Sequence, residues 1–574
     1  MFYNLKIILR SLRHNLAYSV INIAGLSIGI TASVFIFLWV YNERSYDRYH
    51  PDADRIYRIV NTYDIGGGSL YTIEDSPLRI ASLLEEFPEV EKTAVAYPDA
   101  IFGIKVRDEL FPVRGNIAYI DSRWFELFDY QLLEGSFFAF SAHPNSVALT
   151  ASEARKYFGN SSAIGQTIGI DEVDYTVQAV VRNNPANSSF QWNILVSKET
   201  FLSPNRAARE EWFQWHLFAK LRQDADISGI CVKIKDFYPK MGYSFKIEAS
   251  LKPLTGLHFE TDIPNSKYVS GNSKAVSLFS LLGILLLLTA CINYVNLATA
   301  KANVRAKEVG VRKIVGAKRG TLFTQFISES FVICIIAMLT SLILIGMLSP
   351  FYRLLVENAV LPFSSPIIWV ILGAILLVTT LLNGIYPALT LSSFRPMNFL
   401  KGVSIMQIKG GTIRRGLVVF QFTLSTILII SVMVIYKQMK YIQQMNPGYN
   451  REQVISLQSP YDLTFGSKDA RSRSLITLQT MKKELQAQAC IAGVTLHNAD
   501  IANVIFSFDH PNRDDQAESF HSRIAIMGVD ADYMQTLGLE LVEGRWFEEG
   551  VADEKDIILN ETAIRELKIP KPVI

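Results

Sequence analysis

Lys301–Arg319, KANVRAKEVGVRKIVGAKR, decides how the rest of the chain is read. It holds seven basic side chains, Lys301, Arg305, Lys307, Arg312, Lys313, Lys318 and Arg319, against one acid, Glu308. Nearly charge-free stretches flank it on both sides, each longer than the ~20 residues that cross a bilayer. Short basic loops stay in the cytoplasm, so this loop is expected there and sets the direction of every span. Arg305, Glu308 and Arg312 fall three and four residues apart, so one helix face can hold the acid between two bases. Val304, Val311, Ile314 and Val315 are expected to give that helix an apolar side. Taken alone, the pattern fits a basic helix resting on anionic headgroups. Gly310 and Gly316-Ala317 leave little side chain, which suits close approach by another protein.

Outward from this loop the spans order themselves. Residues 1–16 contain LKIILRSLR, with Leu5, Ile8, Leu9 and Leu12 on one helical face and Lys6, Arg10 and Arg13 on the other: an interfacial cytoplasmic helix. Spans are expected at 17–41, 276–300, 321–352, 366–394 and 416–436. The first runs into Trp39-Val40-Tyr41-Asn42-Glu43 rather than the small residues of a cleavage site, so it reads as uncleaved. The loops 301–320 and 395–415 are cytoplasmic by charge, and 42–274 and 437–574 lie outside. The fold class is therefore a polytopic α-helical membrane protein with α+β extracytoplasmic domains. In the first of these, strands are expected at Arg55–Tyr63, Tyr175–Arg182, Phe213–Leu221 and Lys246–Leu251, with helices at Ser76–Glu86, Ser152–Phe158 and Ile227–Tyr238. Glu329 is an acid near the cytoplasmic end of the third span. Such a group is a functional candidate, and a headgroup contact or ion pair accounts for it equally well. Pro387 is expected to kink or end the fourth span at its inner face.

Composition narrows the chemistry. The chain has 574 residues, 49% of them hydrophobic, and a net charge of +2, which describes a membrane protein with large polar parts. Four cysteines stand singly, Cys291 and Cys334 in apolar spans and Cys231 and Cys490 in polar regions, so no disulfide framework is implied. No HExxH, GxSxG or GxxxxGK[ST] occurs, which removes the usual zinc-protease, hydrolase and phosphate-loop routes. Ionisable groups are nearly lacking in the spans, and a polar ion path is poorly supported.

The chain also resembles itself. DSRWFELFDYQLLEG (121–135), followed by Phe137-Phe138, aligns with DADYMQTLGLELVEG (530–544), followed by Trp546-Phe547. One inserted residue later, Val147–Thr150 falls on Ile557–Asn560, and Ile56–Ile59 and Val454–Leu457 stand at similar distances beyond spans one and five. Parallel repeats of this kind are a transporter arrangement. By that logic the natural protein is expected to continue beyond Ile574 with the missing strands, further spans and a second basic loop.

The EVGVRKIVGA core resembles the cytoplasmic loop of FtsX-like permeases, the membrane subunits of ABC transporters of the macrolide-exporter (MacB) type. SYDRYHPDADRIYRI and LKPLTGLHF resemble the edges of the MacB-like periplasmic core domain. Gly384, Tyr386-Pro387-Ala388, Ser392, Pro396 and Leu400-Lys401-Gly402 resemble the end of an FtsX unit. The resemblance implies that Arg305, Glu308, Val309, Gly310, Arg312, Lys313, Gly316 and Ala317 contact an ABC ATPase dimer. Gly384, Tyr386 and Pro387 would then form an inner-face motif. It implies a non-enzymatic permease in the bacterial inner membrane, without cofactor or metal of its own, whose partner ATPase binds ATP and Mg. Partners are membrane lipid and a periplasmic adaptor, with no nucleic acid. Motion of the external domains would export a drug, peptide or lipoprotein. The alternative is a signalling scaffold that activates an external partner such as a cell-wall hydrolase.

Overall fold

The computed structural model describes residues 16–569 except 65–69, 100–102, 108, 113–116, 171–172, 204–209, 212, 244–246, 264–265, 301–308, 357–365, 393–410, 447, 451, 458–467, 499–505, 509–523, 549–555 and 567–568. The expected amphipathic helix at 1–16 and most of the 395–415 linker lie outside these residues. Two units form, one from 1–46 and 272–444, the other from 47–271 and 445–574.

The first unit holds five helices long and apolar enough to cross a membrane. They run Leu16–Arg44, Ser273–Ala300, Arg319–Leu355, Pro366–Ser392 and Gly411–Gln444, and are called spans 1 to 5. Lipid provides no hydrophobic drive between helices, so small residues and shared hydroxyls hold them. A Cβ on Gly29 would stand 2.5 Å from that of Ala290, which shows how closely spans 1 and 2 touch. Ser33 Oγ donates to the Gly283 carbonyl at 3.0 Å across the same seam. Toward span 3, Ser27 Oγ donates to the Ala337 carbonyl at 3.1 Å, and Thr31 and Ser341 share a hydrogen bond of 2.9 Å. Leu26, Ile30, Val34, Leu287, Ile333, Ala337 and Ile375 fill the centre.

Two helices run past landmarks in the sequence. Of the kink or end expected at Pro387, the end does not occur there, and span 4 continues five residues to Ser392. Span 5 is 34 residues rather than the 21 of its apolar core. Polar Lys437–Gln444 prolong it because Lys, Gln and Met are good helix formers.

In the second unit, strands β1 (Ile56–Asp64), β2 (Leu70–Ile73), β3 (Val90–Asp99), β4 (Gly103–Val106), β5 (Glu109–Pro112), β6 (Ile117–Ile120), β7 (Leu132–Gly135), β8 (Ser146–Thr150), β9 (Thr167–Ile170), β10 (Val173–Val181), β11 (Ile194–Ser197), β12 (His216–Leu221) and β13 (Ile247–Pro253) join in one sheet. Its order is β13-β1-β12-β3-β6-β11-β8-β10-β9-β4-β5, with β2 on β1 and β7 on β10. Most neighbours are antiparallel; β11 with β6 and β10 with β8 are parallel. Helices Arg79–Glu85, Ala151–Phe158 and Ile227–Phe237 form within or beside the ranges expected for them. The core holds an aromatic group in which the Trp124 ring lies 4.2 Å from Phe128 and 5.1 Å from Phe190.

Both ends of this domain are tied down. Asp47, the first residue of the unit, is fully buried and accepts from the Ser189 amide at 2.8 Å and its hydroxyl at 2.6 Å. Burial raises its carboxyl to about 6, against the hydrogen bonds from Ser189. Nearby His50 Nδ1 bonds the Phe128 carbonyl, and burial pulls its imidazole down to about 4. At the other end, buried Arg58 holds Glu74 at 2.6 Å and Glu260 at 2.8 Å. Ser266 Oγ and the Lys267 amide both donate to Glu74, at 2.8 and 2.7 Å. The segment that leads to span 2 is thus fastened to β1. Removing one partner of such a buried pair strands the other charge and costs about 3–5 kcal/mol.

Candidate functional site

The basic stretch is described from Val309 onward; Arg305 and Glu308 lie outside the described residues. Residues 309–314 form a short helix, closed by a turn in which the Gly316 amide donates to the Lys313 carbonyl at 3.0 Å and the Ala317 amide to the Arg312 carbonyl at 2.9 Å. Gly316 takes φ +102°, a left-handed conformation that side chains resist. Its glycine is therefore required by the turn itself, a reason the sequence reading did not give. Gly310 is helical and a Cβ there would meet nothing within 4 Å, so its surface is open.

Of the expected apolar side, Val304 lies outside the described residues and the rest is exposed. Val311, Ile314 and Val315 face outward, Val315 at 82% exposure, and the buried residue is Val309. Val309 packs with Leu322 and Phe326 of span 3 and Ala388 of span 4. Arg312 Nη1 donates to Gln325 Oε1 at 2.8 Å, a second anchor on span 3. Burial and the nearby Arg319 lower the Lys313 ammonium below its ordinary range. The short helix is thus pinned on one face and leaves three aliphatic side chains in the open.

The fourth-span motif meets this site. Ala388 shares the cluster of Val309, and Pro387 is buried beside it. Gly384 lies against span 3, where a Cβ would fall 2.7 Å from Ile327 Cδ1. Its smallness serves contact between spans 3 and 4. Tyr386 packs on the central cluster of the bundle. Glu329 is half-buried one turn beyond Phe326 on span 3. The Val309–Ala388 contact was not foreseen: 79 positions separate the two in sequence, and apolar periodicity does not pair distant faces. Among the described residues, no group of three His, Cys, Asp or Glu is placed to hold a metal ion.

Five apolar helices, with a large sheet domain between the first two in sequence, describe a multi-pass membrane protein. Two family models match in succession: the MacB-like periplasmic core domain over residues 19–236, and the FtsX-like permease C-terminal domain over residues 280–396. The chain thus carries regions similar to a MacB-like periplasmic core domain and to an FtsX-like permease domain. It is 24% identical over 310 residues to the macrolide export ATP-binding/permease protein MacB of Chromobacterium violaceum, covering 53% of this chain and 46% of that one. It is 23% identical over 239 residues to the probable syringafactin export ATP-binding/permease protein SyfD of Pseudomonas syringae pv. tomato, covering 40% of this chain and 34% of that one. The chain spans about half the length of the curated relatives it matches or less. The crystal structure of the periplasmic region of MacB from Actinobacillus actinomycetemcomitans aligns with a TM-score of 0.27 and 13% identity, covering 35% of this chain and 90% of that one.

Proposed function

We propose that this chain is the membrane subunit of an ABC transporter in the bacterial inner membrane, moved by a separate ATPase dimer that binds ATP and Mg. The observation that carries the reading is the FtsX-like match over 280–396. It spans the pinned helix whose exposed Val311, Ile314 and Val315 offer a partner an apolar face among basic residues. ATP-driven closure of the dimer pushes on this helix. Its contacts with spans 3 and 4 pass the push into the bundle, and the external domains move in response. This coupling would extrude a lipophilic drug, peptide or lipoprotein, with a periplasmic adaptor as a further partner. The catalytic step belongs to the ATPase.

The test is co-purification of an ABC ATPase from native membranes, identified by mass spectrometry, with permease-stimulated ATP hydrolysis as second readout. Gly310→Leu adds bulk to an open helical surface without the left-handed strain that any change at Gly316 carries. Together with Val311→Asp it is expected to cut both readouts at least several-fold while membrane abundance stays constant. Unchanged co-purification in both variants would mean that the helix rests on lipid alone.

A further inference from the structure

The C-terminal end of span 1 borders an apolar groove of about 510 Å³. Span 1 contributes Phe37, Val40, Tyr41 and Arg44, spaced three, four and seven apart so that they share one helix face. Buried Val40, Leu287 and Ile375 form its floor, and exposed Ala374 and Val378 of span 4 form one lip. Arg44 is the last residue of the helix, exposed, and without a carboxylate partner among the described residues.

We propose that this groove holds one acyl chain of a membrane phospholipid, with the lipid phosphate on Arg44. Three observations single out that occupant. Away from Tyr41 and Arg44 at one end, the wall is aliphatic with the Phe37 ring, and a buried water needs about two to four polar partners, which that stretch does not offer. The lining is bulky, with Ala374 its one small residue. Helices that dock in membranes favour small residues at their contacts, so a slender flexible chain fits better than a helix. The single charge stands at the end of the span, where headgroups lie. A guanidinium fork matches phosphate oxygens in pairs. The site is independent of the nucleotide cycle proposed above and stands whether or not an ATPase docks.

The full chain, extracted in mild detergent, is to be examined by native mass spectrometry for retained phospholipid. Ala374→Trp and Val378→Trp fill the groove from exposed positions, and Ile343→Trp places the same bulk on an exposed face of span 3 outside it. The wild type and Ile343→Trp are expected to retain one phospholipid, and the two groove variants to lose it. Arg44→Gln is expected to weaken retention about tenfold, equivalent to about 1.4 kcal/mol. Retention unchanged by the groove variants, equal loss in Ile343→Trp, or indifference to Arg44→Gln would overturn the proposal. So would a retained species that is not a phospholipid, such as an acylated peptide, or self-association abolished by Ala374→Trp in place of lipid loss.

Discussion

Residues 121–135 and 530–544 reach the same local form in very different surroundings. In each, an aspartate precedes a five-residue helix, Arg123–Leu127 in one and Tyr533–Leu537 in the other. Each aspartate accepts from the backbone of an upstream segment: Asp121 from the Val95 amide at 3.4 Å, Asp530 from the Leu496 amide at 2.9 Å. The left-handed residues recur in register, Asp129 at φ 47° with Gly538 at 65°, and Gly135 at 84° with Gly544 at 95°. Buried positions recur too, Trp124 with Tyr533 and Phe128 with Leu537. The charges exchange sides. Arg123 pairs with Glu85 of the upstream helix, whereas Asp532 pairs with Lys482 at 2.6 Å on its own upstream helix.

Pairing ahead of the turn recurs in part, with His497 bridged to Val529 as Ala96 is to Ile120, but the strands after the turn do not. Leu132–Gly135 is strand β7, paired with β10, and Ser146–Thr150 is β8, fully buried between β10 and β11. Their counterparts near 541–544 and 556–560 form no strand, and Ile557 is 76% exposed. A helix satisfies its backbone from within, whereas a strand takes its hydrogen bonds from neighbours. The same sequence pattern keeps its turn in both places, whereas 541–544 and 556–560 are not in strands.

The largest test removes the aromatic at the shared buried position. Trp124→Ala, in the ring cluster with Phe128, Phe190, Trp192 and Phe218, is expected to cost about 3–5 kcal/mol of domain stability in denaturant unfolding. Among the described residues the ring contact of Tyr533 is with His497, ring centres 6.0 Å apart, and Tyr533→Ala is expected to cost roughly half as much. Equal costs would break the contrast.

A second test uses acid. Asp47, raised to about 6, adds stability below its unfolded value of 3.8 and loses it as pH rises through 6. His50, depressed to about 4, adds stability above its unfolded value of 6.5 and loses it as pH falls toward 4. Each swing amounts to roughly 3 kcal/mol and they oppose one another. Asp47→Asn should make stability rise from pH 4 to 6.5 relative to wild type, and His50→Gln should make it fall. The matching stretch of the second copy, 445–448, is Met-Asn-Pro-Gly and has nothing to titrate. Identical pH curves for both variants and the wild type would count against the assignment.

The smallest effect concerns the exchanged ion pairs. Lys482 is largely buried and serves Asp530 at 2.7 Å as well as Asp532, so Lys482→Ala leaves two carboxylates side by side and should cost about 1.5–3 kcal/mol. Arg123 is nearly half exposed, and Arg123→Ala should cost about 1 kcal/mol or less. Proteolytic susceptibility of each segment reads the difference, and a costlier Arg123→Ala would reverse it.

Hydropathy made the spans legible, since about twenty uncharged residues have few other uses. The β1, β10 and β13 regions and the repeat were legible for the same reason: their signals are local. The Arg58 network was not, because Glu74 and Glu260 reach it from 16 and 202 positions away. Neither was the role of Val309. Nothing in EVGVRKIVGA tells which valine faces Ala388, and Val311 and Val315, two of the four residues marked as an apolar side, are exposed. Gly316 was noticed for its size when its backbone angle was the stronger reason.

Span 5 has a use beyond packing. At 1.5 Å per residue, its 34 residues reach about 51 Å, against a hydrocarbon layer of about 30 Å. Amides within the layer see no water and should keep their protons for hours in deuterated buffer, while those of the terminal turns exchange freely. The residue at which protection stops marks where this membrane surface begins, so the helix is a graduated rule for the depth at which the protein rides in its bilayer.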